Sequence, residues 1–113
     1  MRKLDFNALE QPALELTLKD KDRTVVRATV PTEDLIERLM VAGAELQEVI
    51  NSNSGETIRA LFGLIAELMS CNLDGLTFTA EDLRDKYNMK LYDATIFVKV
   101  YLEFIQELQS AKN

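Results

Sequence analysis

Apolar and polar residues alternate from Ala13 to Leu18, with Leu14, Leu16 and Leu18 on one side and Glu15 and Thr17 on the other. The alternation resumes from Thr24 to Val30, where Val26, Ala28 and Val30 share a face, so the period of two predicts a pair of strands. Lys19-Asp20-Lys21-Asp22 between them is a polar connector of hairpin length, without the Asn-Gly or Asp-Gly that favours the tightest turns. A lone hairpin is marginal in water. This one must lie on other elements or gain a strand from a partner.

After Val30 the period changes. Thr32 is a helix N-cap with Glu33 and Asp34 in the first turn, where the helix dipole favours acids. Leu35, Leu39, Ala42, Leu46, Val49 and Ile50 then recur at helical spacing, which predicts one helix to about Ile50. Asn51 to Gly55 is a loop by composition. A second helix places Ile58, Leu61, Phe62, Ile65, Leu68 and Met69 on one face and stops near Asn72-Leu73-Asp74-Gly75. Thr79 caps a third, short helix ending near Tyr87-Asn88; Asp82 is at its capping-box position and Phe78 and Leu83 at the staple positions. A last helix from about Asp93 carries Phe97, Val100, Tyr101, Phe104, Ile105 and Leu108 on one stripe.

The expected fold is therefore α+β and mostly α: an amino-terminal β-hairpin packed on a small bundle of about four helices. It forms a single domain over 1–113, with residues 1–12 as an arm, 13–30 as the hairpin and 31–113 as the helical part. At 113 residues and 47% apolar, one core can form without staples.

Charge and residue inventory then narrow the chemistry. The net charge is −6, from 13 basic and 19 acidic side chains, which argues against coating nucleic-acid phosphates. With no histidine there is no His base, His metal ligand or His pH switch. The single Cys71 can form neither an intramolecular disulfide nor a multi-Cys zinc site, and it has no His to activate it. Met1-Arg2-Lys3-Leu4-Asp5 reaches an acid too early for a secretory signal. The longest apolar stretch, Leu61 to Ala66, is far short of the ~20 residues that span a bilayer. A soluble, cytoplasmic protein is expected.

Each candidate constellation has a plainer reading. Asp20-Lys21-Asp22 opens like a calcium loop, but Val25 holds the place of the required glycine. Glu81, Asp82 and Asp85 lie in the first turns of a capped helix, where they serve the dipole rather than a metal. Gly55-Glu56-Thr57 has no glycine-rich cradle or lysine for phosphate. Ser110 and Lys112 fall in a frayed tail. Catalysis, cofactors and metals are not expected. Met40, Met69 and Met89 either fill gaps in the core or form an adaptable surface. Leu64, off the main stripe, and Met40-Val41 beside Leu39 widen the apolar arc, so Met40, Leu64 and Met69 are the candidate partner contacts. The surplus arc is covered by the hairpin or left for a partner. An uncovered hairpin edge would also allow copies to pair into a homo-oligomer.

In order along the chain stand Leu4-Asp5-Phe6-Asn7, Leu14-Glu15-Leu16-Thr17-Leu18, Pro31-Thr32-Glu33-Asp34-Leu35 and Leu68-Met69-Ser70-Cys71-Asn72. Phe78-Thr79-Ala80-Glu81-Asp82-Leu83 and the run from Phe97 to Ile105 follow. This series resembles the small tail assembly chaperones of long-tailed bacteriophages, particularly those of phages and prophages of Gram-positive bacteria. The resemblance spans nearly the whole chain and rests on caps and apolar stripes. It implies a non-catalytic protein in the host bacterial cytoplasm, absent from the finished virion. Such a protein binds the tape measure protein, keeps it soluble and recruits major tail tube subunits. It also implies that a longer, frameshifted form can exist, with Ala111-Lys112-Asn113 ending the shorter one. The alternative is a small acidic helical adaptor or regulator that docks on a single protein.

Overall fold

The computed structural model describes residues 3–5 and 12–110, the side chains of the last two excepted. The greater part of the expected arm, and Lys112, lie outside the described residues. The fold is α+β and mostly helical. Strands β1 (Ala13–Thr17) and β2 (Val25–Thr29) are followed by helices α1 (Glu33–Ala44), α2 (Leu46–Ser52) and α3 (Gly55–Met69). A π-helical turn (Asp82–Lys86) and α4 (Leu91–Ser110) complete it.

The hairpin is antiparallel, with Leu14 opposite Ala28 and Leu16 opposite Val26. Its apolar face is thereby set toward the core, where Val26 and Ala28 are fully buried. Val30, expected on that face, lies past the end of β2 and is exposed. The connector closes without Asn-Gly. The Asp20 carboxylate accepts the Thr24 N–H at 2.8 Å and the Thr24 hydroxyl, while Arg23 adopts the left-handed conformation at φ 50°. These bonds hold the Asp20 carboxyl below its ordinary pKa.

The hairpin edge along β2 is covered by the chain itself. Thr29 N–H donates to the Cys71 carbonyl at 2.8 Å, and Leu73 N–H to the Arg27 carbonyl at 3.0 Å. Asp74 completes the contact: one oxygen accepts the Arg27 N–H at 2.8 Å, and the other accepts its guanidinium at 2.7 and 3.1 Å. Pairing between copies along β2 is therefore blocked. The Asn72 side chain organises this loop, donating to the Met69 and Leu76 carbonyls and accepting from the Asp74 and Leu76 N–H groups.

Thr32 caps α1, accepting the Leu35 N–H at 3.3 Å. The single helix expected to Ile50 is instead two, α1 and α2, because Glu45 at φ −98° and ψ 6° bends the axis. Hydrogen bonding continues through the bend, from Glu45 N–H to Val41 O and from Val49 N–H to Glu45 O. The bend keeps Leu46 in the core. Asn53 then turns the chain in the left-handed conformation, and Ser54 caps α3.

Helix α3 is the axis of the core. Seven of its side chains from Leu61 to Met69 are buried, against α1, α2, α4 and β2. The next cap is a full capping box, with Asp82 N–H donating to Thr79 Oγ1 at 3.1 Å and Thr79 N–H to the Asp82 carboxylate at 3.2 Å. The turn it starts is π-helical: Tyr87 N–H reaches back five residues to Asp82 O, and Met89 N–H reaches Leu83 O. Phe78 and Leu83 are both buried, and the Phe78 and Tyr87 rings lie 5.5 Å apart.

Helix α4 crosses α1 where Gly43 faces Leu102. A Cβ on Gly43 would stand 2.5 Å from Leu102 Cδ1, so any side chain there would have to displace the tip of Leu102. Tyr101, fully buried, meets Phe97 at a tilt and Phe104 edge-to-face, and donates its hydroxyl to Thr29 O at 2.5 Å, tying α4 to the hairpin.

Candidate interaction surface

Among the large apolar side chains that folding leaves at the surface are groups on α4 and on α1. On α4, Tyr92, Ile96 and Val100 recur at four-residue spacing and are all exposed. Val100 was expected among the core residues; the buried stripe runs instead through Phe97, Val98, Tyr101 and Ile105. On α1, Met40 and Val41 are 60% and 55% exposed.

Val41 borders a groove of about 460 Å³ between α1–α2 and α3. Its floor is Val41, Ala42 and Val49 from the first pair and Leu61 and Leu64 from α3. Glu37, Arg38, Glu45 and Thr57 stand along it. The groove opens because α3 presents the small residues Thr57 and Ala60 there, which cannot fill the space. Arg38 reaches across from α1 to Glu67 on α3 at 2.7 Å. The Glu67 carboxylate holds the guanidinium pKa above its ordinary value, but both groups are about half exposed, so the pair stabilises little.

The three sequence-derived contact residues divide. Met40 is exposed on α1 but is not among the residues that line the groove. Leu64, at 6% exposure, belongs to the core cluster and also lines the groove. Neither of the two fates expected for its surplus arc, the hairpin or a free partner surface, describes it fully. Met69 is fully buried and belongs to the core, as gap-filling rather than as a contact. Sequence reasoning passed over the acidic rim. Glu37, Val41 and Glu45 stand at four-residue intervals on α1, a signal legible as one stripe once helical spacing is applied.

Charge is unevenly placed. From Glu33 to Met69, seven acidic side chains stand against Arg38 and Arg59, a net of −5 out of the chain's −6. The groove thus lies in the most negative part of the molecule, and Arg38, the only base among its lining residues, is already paired.

Three of the groups considered for chemistry, Asp20, Cys71 and Asp82, are engaged in structure. Asp82 closes the capping box and Asp20 the hairpin turn. Cys71 is half-buried, its thiol donates to the Glu67 carbonyl at 3.5 Å, and burial followed by the nearby Glu67 charge pushes its pKa up, away from the reactive thiolate. Among the described residues no cluster of three His, Cys, Asp or Glu is placed to hold a metal, and no helix is long and apolar enough to cross a membrane. A second cleft, of about 390 Å³, lies between α3, the π-helical turn and the start of α4, where Arg84 sits 5.5 Å over the Phe62 ring. No family model, no curated protein and no solved structure matches this chain.

Proposed function

We propose that this chain is a non-catalytic tail assembly chaperone of a long-tailed bacteriophage, binding the tape measure protein and helping to recruit tail tube subunits. The observation that carries the reading, beside the end-to-end sequence resemblance, is the apolar groove walled by α1, α2 and α3. A long helical client with an exposed apolar stripe needs a groove of this kind to stay soluble, and the acidic exterior keeps the coated client dispersed. The exposed Tyr92, Ile96 and Val100 lie on a different helix from the groove, and two apolar surfaces suit a protein with two partners.

Co-expression with the neighbouring tape measure and tube proteins tests this. Soluble tape measure, recovered with many copies of the chain by light scattering, is the expected result. One or two copies would identify a single-partner adaptor instead, and association with neither neighbour would reject the chaperone reading.

A further inference from the structure

We propose that the groove between α1–α2 and α3 takes a single partner helix whose apolar stripe is bordered by lysine or arginine. This rests on reading the groove as the binding surface and adds the chemistry of what enters it.

The occupant's backbone follows from the walls. All three are helices, which satisfy their own N–H and C=O groups, so the groove offers no free edge for an extended strand to pair with. A helix brings its backbone bonds with it. Its length of contact follows from α3. From Thr57 to Leu64 the groove runs seven residues, roughly 10 Å at about 1.5 Å per residue, or two turns. Apolar side chains at i, i+4 and i+7 of the occupant would therefore meet Val41, Val49, Leu61 and Leu64.

The charge of its flanks follows from the rim. Glu37 and Glu45 stand one helical turn on either side of Val41, and Arg38 is held by Glu67 on the opposite wall. Lysine or arginine beside the apolar stripe would meet the Glu37 and Glu45 carboxylates, since the one cation among the lining residues, Arg38, is already paired with Glu67. An acidic flank would be repelled. A second copy of this chain is disfavoured for the same reason, because each copy carries a net −6.

Two synthetic helices test the proposal with the full chain, by fluorescence anisotropy. Both carry leucines at i, i+4 and i+7; one is flanked by lysines, the other by glutamates. The lysine helix should bind, more weakly as salt rises, and the glutamate helix should bind at least about tenfold less well. Glu37→Lys combined with Glu45→Lys should reverse that order, and Val41→Ser should weaken the lysine helix without changing the circular dichroism spectrum. Equal binding of both helices, or an unchanged order in the double variant, would overturn the proposal. So would a dimer in sedimentation that Val41→Ser dissociates, because the occupant would then be a second copy. If the lysine helix binds as expected but the tape measure is not captured, the chaperone reading fails alone. If the tape measure is captured equally well by the double variant, the groove assignment fails alone.

Discussion

The two sides of α3 are finished differently. Toward the hairpin, long-range hydrogen bonds and an ion pair close the seam: Tyr101 donates to Thr29 O, Arg27 grips Asp74, and Cys71 to Asp74 covers the β2 edge. Toward α1 and α2, Val41 remains exposed over a groove that small residues leave unfilled. A core contact spends its apolar surface within the molecule, and a docking surface keeps it available. The contrast locates the place where substitutions should alter binding without altering stability.

The closed side should respond most strongly. Tyr101→Ala removes a fully buried ring and orphans the Thr29 carbonyl, and should cost about 3–5 kcal/mol in urea unfolding. Tyr101→Phe keeps the ring packing and should cost about 1–3 kcal/mol for the unpaired carbonyl alone. Were Tyr101→Phe as stable as the wild type, the contact would be packing without a hydrogen-bond contribution. Next comes the helix crossing. Gly43→Ile should cost about 1–3 kcal/mol through collision with Leu102, and Leu102→Ala in the same chain should recover part of it. Additive losses in the double variant would show that the two positions do not meet.

The pH profile is a third probe of the closed side. Asp74 is held below its ordinary pKa by the Arg27 guanidinium and then the Arg27 N–H, and Asp93 by the Lys19 ammonium and then the Lys90 N–H. A depressed carboxyl stabilises the fold above its unfolded value, near pH 3.9, and loses that contribution as pH falls toward the folded value. Through these carboxyls thermal stability should decline as pH falls into the acid range, with no step near pH 6–7 because histidine is absent. Asp74→Asn should make the acid decline shallower. At the alkaline end the sign reverses. Burial raises the Tyr101 pKa, so above about pH 10 the unfolded chain ionises while the fold does not, and stability falls. Tyr101→Phe should flatten that limb; an unchanged alkaline slope would mean the phenol is not shielded.

The open side should show the smallest effect on folding. Val41→Ser and Met40→Gln should each change stability by less than about 0.5 kcal/mol, since both side chains are mostly in water. A loss above about 1 kcal/mol from Val41→Ser would place it in the core and erase the contrast.

Much of the architecture was legible along the chain because its causes are local. The alternation of Leu14, Leu16 and Leu18 against Val26 and Ala28 located the hairpin. Thr32 and the Thr79–Asp82 pair located two helix starts through bonds spanning three residues. The bend at Glu45 was not legible, since the apolar spacing continues through it and neither proline nor glycine occupies the position. The cover on β2 was missed for a related reason. Asn72 to Asp74 reads as a loop, and nothing local says that it lies beside Arg27, more than 40 residues earlier. Of the candidate contacts, Met69 already shared the apolar face of its helix by spacing, with gap-filling as one of its two readings; it is buried because α3 is surrounded on several sides.

By itself the sequence determined the fold class, the caps, the inventory of reactive groups and the concentration of negative charge between Glu33 and Met69. Those are properties of residue type and near spacing, and no neighbour can change them. Only the tertiary structure decided which apolar residues end in water. Leu64 and Val41 are both aliphatic and both on helices, yet one is at 6% exposure and the other at 55%. The difference lies in how closely a second helix approaches each, and that approach is set by side chains far away in the chain.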